Sequence, residues 1–412
     1  MKETKRILLL MDAPTAPLFA PRMRYLISNL VKRGWQFVVI SEKMPDTDFH
    51  FEDCRHLLFP YYKDRSVRCN RLLWIADKLF NLKEHRFLRF IKKQIQPSEV
   101  DCILCSSFHT FPLPTAARLA AQWHLPLIAD LRDIAEQWGD TPYMQHPIRT
   151  PFASVNKCLH HVYTRLSIRH RNKALETASS IITVSPWHQK VLQHLHPSVH
   201  LIYNGYDEHA FIPENIPSDT FHITYTGKIY DVQLRNPLLL FQALEAMSKQ
   251  GVLPEHLRVD FYCEEGIHAK LSELAKRYHI EDRIHIDGFV SNRQILQLLH
   301  VSSICLILTN KASENGPHGI MTTKFFEALG VEKPVLCVPS DEACLADVIR
   351  QTNAGIAATT VEQIQAFIQD KYAEWQTNGF TRQAVCMDEK QRFSRKYQAK
   401  QFEQIIMQTI HE

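Results

Sequence analysis

The chain has 412 residues, of which 45% are hydrophobic and 22% charged, a balance typical of a soluble globular protein with two or three domains. The net charge of +4 conceals an asymmetry: residues 1–205 carry 28 Lys and Arg against 17 Asp and Glu, and residues 206–412 carry 20 against 27. No run of eighteen apolar residues exists, which excludes a transmembrane helix, and we expect the short run ILLLM near the N-terminus to be a strand, not a secretion signal.

The first half of the sequence alternates between continuous apolar runs and helical stripes. The apolar runs predict strands at 6–12, 35–41, 101–107, 126–133 and 179–185. Apolar residues at helical spacing predict helices at 20–34, 112–124 and 152–178. Because strands and helices alternate, we predict a doubly wound α/β domain with a parallel sheet.

The second half repeats this order without repeating the sequence. It predicts strands at 221–227, 258–264, 283–290, 303–309 and 333–339. It predicts helices at 237–251, 267–279, 292–302, 320–329 and in the last 25 or so residues. The predicted fold class is therefore α/β, with two Rossmann-like doubly wound domains that face each other across a cleft. We place the domains at 1–205, 206–385 and 386–412, the last being a C-terminal helix.

Two short motifs are of a kind that can bind metal, and neither is predicted to do so. Cys102 and Cys105 form a Cys-x-x-Cys pair, but they lie inside an apolar strand, with no second pair at zinc spacing. The Asp-Thr-Asp sequence at 46–48 lies in a loop of the basic half. The ten scattered cysteines indicate free thiols in a reducing compartment. We expect no metal and no resident cofactor.

The stretch ILTNKASENGPHGIMTTKFFEALG, at 307–330, indicates a strand, a loop and the start of a helix. Thr322 and Thr323 are cap-type residues, and a helix N-terminus at the end of a strand attracts phosphate. Lys324 adds a positive charge there, and Glu327, one turn further, is placed to accept the hydroxyls of a ribose. The alternative is an ordinary Lys–Glu pair on a helix surface.

A second set of residues follows the first strand of the second half. Gly227 permits close approach of the backbone to a ligand, and Lys228 and Arg235 suit a diphosphate. Solvated loop cations are the alternative. Both sets follow strands of one predicted domain, so they are expected to address one site.

These segments, with 179–211 and 284–299, resemble nucleotide-sugar glycosyltransferases of the GT-B fold, and most closely the retaining family 4. Segments 19–41 and 126–138 resemble the acceptor domain of that family. The resemblance implies that the second domain binds a nucleoside-diphosphate sugar, and that the final helix crosses back to the first domain. It also implies sugar transfer with retention of the anomeric centre and without a metal.

The resemblance carries roles onto individual residues. Lys228 and Arg235 match the basic pair that holds the diphosphate, and Glu327 matches the glutamate that holds the ribose. On the acceptor side, Asp133 and His109 match positions that line the cleft. We predict as donor-binding residues Gly227, Lys228, Arg235, His318, Gly319, Ile320, Thr322, Thr323, Lys324 and Glu327.

Two departures from the family bear on the mechanism. The family has a second glutamate eight positions before Glu327, where this chain has Gly319, and His318 beside it is a candidate partner for sugar hydroxyls. The loop after the first strand lacks the glycine pair of many relatives, and Arg22 is the predicted substitute on the acceptor side.

Glycosyl transfer breaks a bond to a diphosphate, so cations and helix amides directed at the β-phosphate lower the barrier. Lys228, Arg235 and the amides around 319–323 are the predicted donors. Asp133 is a candidate to orient the acceptor or to take its proton; the alternative is an N-cap of the helix that follows. His109 is either a cleft residue or a helix-entry histidine.

Two basic stretches with interleaved aromatic residues, at 63–94 and 156–173, are typical of interfacial membrane binders. Solvated helix faces are the alternative, and no nucleic-acid module is recognised. We therefore predict a glycosyltransferase that is cytoplasmic or peripheral on the inner face of the membrane, with a glycan or lipid-linked acceptor. Two other functions are considered: a nucleotide-sugar 2-epimerase and a catalytically inactive binding scaffold.

Overall fold

The structure, a computed structural model, describes residues 5–12, 21–43, 50–61, 72–73, 75–77, 80–108, 110–139, 150–232, 234–312 and 317–411. The candidate residue His109 and the Asp-Thr-Asp sequence at 46–48 lie outside these described residues.

The described chain divides into two compact units, which are treated separately below. The first unit comprises Met1–Tyr203 together with Arg395–Glu412, and the second comprises Asn204–Ser394. The functional domains predicted at 1–205, 206–385 and 386–412 stay a prediction, because compact units are defined by internal contacts and not by the ligands that each part binds.

The strands are short, apolar and mostly buried, as strands covered on both faces must be. In chain order they are β1 (Arg6–Met11), β2 (Gln36–Glu42), β3 (Arg55–Phe59), β4 (Cys102–Ser107), β5 (Leu127–Leu131), β6 (Ser180–Thr183), β7 (Val199–Leu201), β8 (Phe221–Thr226), β9 (Leu257–Tyr262), β10 (Ile284–Asp287), β11 (Ile304–Leu308), β12 (Val335–Val338) and β13 (Gly355–Ala357).

The helices connect these strands. They are α1 (Pro21–Val31), α2 (Leu82–Gln94), α3 (Leu113–Trp123), α4 (Ala153–Leu175), α5 (Pro186–Gln193), α6 (Leu238–Lys249), α7 (His268–Arg277), α8 (Asn292–Val301), α9 (Thr323–Gly330), α10 (Cys344–Thr352), α11 (Val361–Asn378), α12 (Met387–Gln391) and α13 (Arg395–His411). None of these described helices combines the length and the apolar character needed to span a bilayer.

In the first unit, seven strands of the described chain form one parallel sheet in the order β3-β2-β1-β4-β5-β6-β7. One face carries a core that includes Phe87, Leu113 and Leu131. On the other face α13 packs against α1, and Phe402 and Ile406 of α13 enter the core there. The last helix therefore belongs structurally to the first unit.

In the second unit, six strands of the described chain form a parallel sheet in the order β10-β9-β8-β11-β12-β13. Its core includes Phe241, Phe261 and Leu306. The ends of the helices in this unit follow local sequence signals. Ser291 and Gln294 form a capping box at the N-terminus of α8, and Gly379, with a φ of 76°, ends α11.

In both sheets the order in which the strands are added reverses at one point, next to the first strand of that sheet. Strand order runs outward from β1 to β3 and then from β4 onward, and likewise from β8 to β10 and then from β11 onward. Ligands of doubly wound sheets bind at the carboxyl ends of the strands at such a switch point. The predicted α/β class, with two doubly wound parallel domains, is confirmed.

Three edge strands, β3, β7 and β13, were not predicted, because they have only three to five residues and lack a continuous apolar run. Cys102 and Cys105 lie in the buried strand β4, and burial raises the pKa of Cys102 to about 12. This supports the interpretation of the pair as ordinary strand cysteines.

Candidate functional site

The candidate site of the second unit lies at its switch point, between β8 and β11. These strands are neighbours, with Ile304 paired to Ile223 and Cys305 paired to Thr224. The loop after β8 carries Gly227, Lys228 and Arg235, and the loop after β11 leads into α9. The two residue sets predicted from the sequence thus emerge from adjacent strands at the same edge of the sheet.

Gly227 and Lys324 are in contact. Gly227 has a φ of 105°, and a Cβ atom at this position would lie 2.7 Å from Lys324 Cε and 3.0 Å from Lys324 Nζ. The same ammonium group lies 5.0 Å from the centre of the Tyr225 ring, within cation–π range. The positive φ favours glycine at this position, and a side chain at 227 would displace the end of the lysine.

The environment of Lys324 disfavours its charged form. Burial of the ammonium group, together with the positive charge of Arg235, lowers the pKa of Lys324 to about 7. The carboxylates of Glu327 and Glu264 act in the opposite direction. Two cations therefore converge on one region with incomplete compensation, an arrangement that an anionic ligand would stabilise.

Arg235 links the two loops. It is half-buried, and its Nη1 donates to the carbonyl oxygen of Leu308, 3.4 Å away at the end of β11. Lys228 differs from it, because its side chain is exposed and its Nζ lies 5.7 Å from the centre of the Tyr230 ring. The basic pair thus consists of one cation anchored at the switch point and one at the surface.

Glu264, which follows β9, organises the loop that carries Lys228. Its carboxylate accepts hydrogen bonds from the backbone N–H of Ile229, at 3.0 Å, and of Tyr230, at 2.6 Å. Tyr225 donates its hydroxyl hydrogen to the carbonyl oxygen of Lys228 at 2.7 Å. The sequence did not single out Glu264; its position two residues beyond β9, the strand beside β8, was the available signal.

The N-terminus of α9 is preceded by a buried glycine, Gly319, with a φ of 63°. Thr322 occupies the cap position, and its side chain makes no capping hydrogen bond. The amides of the first turn therefore are not capped by Thr322, which is the state of a helix end that can bind an anion. Glu327 is half-buried one turn into the helix.

The remaining predicted donor residues surround this helix end. His318, Ile320 and Thr322 are half-buried, and Thr323 is exposed. The structure therefore places all ten predicted donor residues in the two segments that follow the neighbouring strands β8 and β11. Their roles in binding stay a prediction.

In the first unit, Asp133 lies two residues beyond β5 and is half-buried. Its carboxylate accepts a hydrogen bond from Gln137 Nε2 at 2.5 Å. The following 3₁₀ turn, Ala135–Trp138, has Ile134 at its cap position, and the role of Asp133 stays a prediction. Gln137 in turn contacts the buried His188, whose pKa burial lowers to about 3, so His188 is neutral near pH 7.

Arg22 is buried inside the first unit. Its guanidinium donates to Asp130 at 3.1 and 3.2 Å and to the carbonyl oxygen of Tyr203 at 2.7 Å, and it lies 4.8 Å from the centre of the Phe402 ring. These contacts use three of its five N–H donors and give it a structural task. Its predicted role on the acceptor side stays a prediction.

A further ion pair at the carboxyl edge of the first sheet was missed from the sequence. Arg132 Nη2 lies 2.6 Å from Asp12 Oδ1, and the backbone N–H of Phe108 donates to Asp12 Oδ2 at 2.7 Å. Burial raises the pKa of Asp12, although Arg132 opposes the change. The pair connects the ends of β1, β4 and β5. Contacts between residues of different strands cannot be predicted from a single sequence.

Residues 21–210 match the sequence model of Glycosyltransferase Family 4. A comparison with curated protein sequences found no match.

Several solved structures have a similar fold. A glycosyltransferase from Rickettsia africae is 14% identical, with a TM-score of 0.63 and coverage of 99% of each chain. HepE from Anabaena in complex with UDP-glucose is 15% identical, with a TM-score of 0.63 and coverage of 98% of this chain and 99% of that chain. A protein from Listeria monocytogenes described as a UDP-N-acetylglucosamine 2-epimerase is 13% identical, with a TM-score of 0.53, covering 98% and 96%.

At these identities the structural likeness shows the fold, and the family match covers residues 21–210. The predicted resemblance to family 4 is confirmed for that part of the chain, and the predicted GT-B type of fold is confirmed for the whole chain.

Proposed function

We propose that this chain, which resembles the GT-B glycosyltransferases of family 4, transfers a sugar from a nucleoside-diphosphate sugar to a glycan or lipid-linked acceptor, with retention of the anomeric configuration. One observation carries the donor part of this proposal: Lys324 lies against Gly227 and beside Arg235 at the switch point of the second unit. That place and that charge fit a diphosphate.

Each part of the donor has a candidate partner. Arg235, Lys324 and the first-turn amides of α9 would bind the diphosphate, and exposed Lys228 would approach it from the surface. Glu327 would accept hydrogen bonds from the ribose hydroxyls. The Anabaena relative binds UDP-glucose, which favours a UDP-sugar as the donor.

The chemistry follows from these charges. When the glycosidic bond to the diphosphate breaks, negative charge develops on the β-phosphate, and cations held in place beforehand stabilise it. This scheme requires no metal. Retention is proposed from the family resemblance; a double displacement would need two carboxylates about 5 Å apart.

The acceptor is assigned to the first unit, where Asp133 and His109 are the predicted residues. Asp133 is held by Gln137 and is a candidate to orient the acceptor hydroxyl or to take its proton. We place the enzyme in the cytoplasm or peripherally on the inner face of the membrane, in the synthesis of a cell-envelope polysaccharide.

A thermal-shift screen of UDP, GDP, ADP, CMP and TDP tests the donor site. A nucleotide at 100 times its dissociation constant should stabilise the protein by about 2.7 kcal/mol. We expect one nucleotide to do so, Glu327→Ala to abolish the shift, and Glu362→Ala, an exposed glutamate at the start of α11, to preserve it. If no nucleotide raises the melting temperature of the wild type, the proposal of a donor site is wrong, and a catalytically inactive binding scaffold becomes the better description.

A second candidate function is favoured by the Listeria structure, whose fold this chain shares. A 2-epimerase would convert the UDP-sugar without an acceptor. Incubating the protein with a sugar ester of the nucleotide identified in the screen distinguishes a transferase from an epimerase. A transferase consumes it slowly until an acceptor is added, whereas an epimerase yields a rearranged sugar at once.

A further inference from the structure

The helix α4 of the first unit exposes a line of large apolar side chains. Phe152, which precedes the helix, is 65% exposed, Val155 42%, Val162 49% and Leu166 60%. Their spacings of three, seven and four residues place them on one face of a helix. Single exposed apolar residues are normal, but an aligned row of them marks an interaction surface. We call this row the α4 stripe.

The opposite face of α4 holds the helix to the rest of the unit. Arg171 is buried and donates to both carboxylate oxygens of Glu136, at 2.7 and 2.6 Å. Ala174 and Leu175 enter the core. The α4 stripe is therefore presented by a helix whose inner face is already occupied.

The other basic segment predicted from the sequence is used differently. In α2, Phe87 is completely buried and its ring centre lies 5.0 Å from that of Phe59, and Phe90 packs against the same core. Leu72 and Phe80, which precede this helix in the same basic segment, are 68% and 65% exposed. The difference is therefore between the two helices: α2 buries its aromatic residues, and α4 leaves its apolar residues outside.

The exposed charged side chains of α4 itself, which are Lys and Arg, are positive. Residues 141–175 contain no Asp or Glu. Arg165, Arg169 and Lys173 are exposed and four residues apart, so they follow one flank of the stripe. An exposed apolar row with a basic flank is complementary to a surface that offers both hydrocarbon and negative charge, which an anionic bilayer does.

We propose that the α4 stripe docks this protein on an anionic membrane surface, with Phe152, Val155, Val162 and Leu166 entering the headgroup boundary and Arg165, Arg169 and Lys173 contacting lipid phosphates. The long basic side chains can reach the headgroups while their stems cover the apolar row. This inference deepens the partner part of the proposed function, and it does not depend on the donor reaction.

Vesicle co-sedimentation tests the docking with the full chain. Wild type should bind vesicles of phosphatidylcholine containing phosphatidylglycerol, and should bind pure phosphatidylcholine vesicles far less. Val162→Ser with Leu166→Ser should lower the partition coefficient by roughly tenfold or more, because two partly inserted side chains lose their apolar contact. Arg165→Gln with Arg169→Gln should lower binding to anionic vesicles and remove most of its salt dependence.

Matched variants make each outcome decisive. Phe289→Ser removes an exposed aromatic residue of the second unit, and Lys92→Gln with Lys93→Gln removes two exposed charges of α2; both should preserve binding. Equal loss with the α2 variant would overturn the proposal in favour of unspecific charge attraction. No binding to anionic vesicles at low salt would refute it directly.

A second copy of the chain is the competing occupant. Sedimentation equilibrium without lipid should show the same mass for wild type and for Val162→Ser with Leu166→Ser. A dimer that this double variant dissociates would instead assign the stripe to self-association. The nucleotide screen is run on the same preparations, so a failed donor site and a failed membrane contact are distinguishable.

Discussion

The carboxyl edges of the two sheets carry similar residues in opposite electrostatic states. In the first unit two cations face carboxylates: Arg22 pairs with Asp130 at 3.1 Å, and Arg132 with Asp12 at 2.6 Å. In the second unit Lys324 lies against a glycine and an aromatic ring, with Arg235 as a charged neighbour.

The comparison distinguishes cations that stabilise the fold from cations that are available to bind a ligand. A buried cation with a hydrogen-bonded carboxylate is neutralised within the protein, and its removal costs stability. Lys324 is held where burial and a like charge lower its pKa to about 7, so the protein itself does not neutralise it fully. Functional sites tend to carry such perturbed groups. Four variants test this contrast.

Breaking the Arg22–Asp130 pair should have the largest effect. Arg22→Ala would leave Asp130 buried without its cation, which should lower the free energy of unfolding by about 3–5 kcal/mol. Urea unfolding followed by circular dichroism measures this. The control is Arg24→Ala, an exposed position on the same helix, expected to change stability by less than about 0.5 kcal/mol. If Arg22→Ala kept normal stability but lost turnover, the structural role would be contradicted and the predicted role of Arg22 in acceptor binding would be supported.

Gly227→Ala tests the contact that joins the two donor loops. The added Cβ would meet Lys324 Cε at 2.7 Å, so the lysine must move, and nucleotide affinity should fall at least about tenfold. Gly251→Ala separates this from backbone strain, because Gly251 also has a positive φ, of 69°, but open space around it. Both variants should lose about 1–2 kcal/mol of stability, and only the first should lose affinity by isothermal titration calorimetry.

Glu264→Gln tests whether the loop after β8 is positioned by a carboxylate. Charge-assisted hydrogen bonds are roughly twice as strong as neutral ones, so the loop at Ile229 and Tyr230 should loosen. We expect the KM for the donor to rise by roughly threefold to tenfold while kcat changes less. Glu265→Gln, an exposed neighbour, is the control. A lower melting temperature with an unchanged KM would limit Glu264 to a structural role.

The pH dependence of nucleotide binding tests Lys324 itself. The free protein loses the lysine proton as the pH rises through about 7, and a diphosphate favours the protonated form. Affinity should therefore fall above pH 7, by at most about tenfold per pH unit. Lys324→Met should bind more weakly at pH 6 and lack this slope, which calorimetry between pH 6 and 8.5 measures. Parallel profiles of the two proteins would contradict the assignment.

Much of the fold could be predicted because its signals are local. Continuous apolar runs predicted β1, β4 and β11, and the stretch before Lys324 predicted the strand, loop and helix in order. The edge strands β3, β7 and β13 were missed, because strands this short lack a pattern of their own and depend on pairing with a neighbour.

The site was predictable only in part, for a related reason. Lys228, Arg235, Lys324 and Glu327 stand out by type and place in the chain. Glu264 does not, because its role depends on hydrogen bonds to amides that lie far away in sequence. The same holds for the basic segments, since sequence composition cannot tell which face of α2 or α4 meets the core.

The sequence by itself determined the alternation of strands and helices, the two Rossmann-like halves and the residue types at the ends of their strands, because each of these is encoded within a few neighbouring residues. Tertiary structure alone decided that β8 and β11 are neighbours. Because they are neighbours, Gly227 contacts Lys324, and the charge of Arg235 lowers the pKa of Lys324. It also decided which apolar residues of the basic helices face outward. Contacts, burial and electrostatic coupling arise between distant segments, and only their packing creates them.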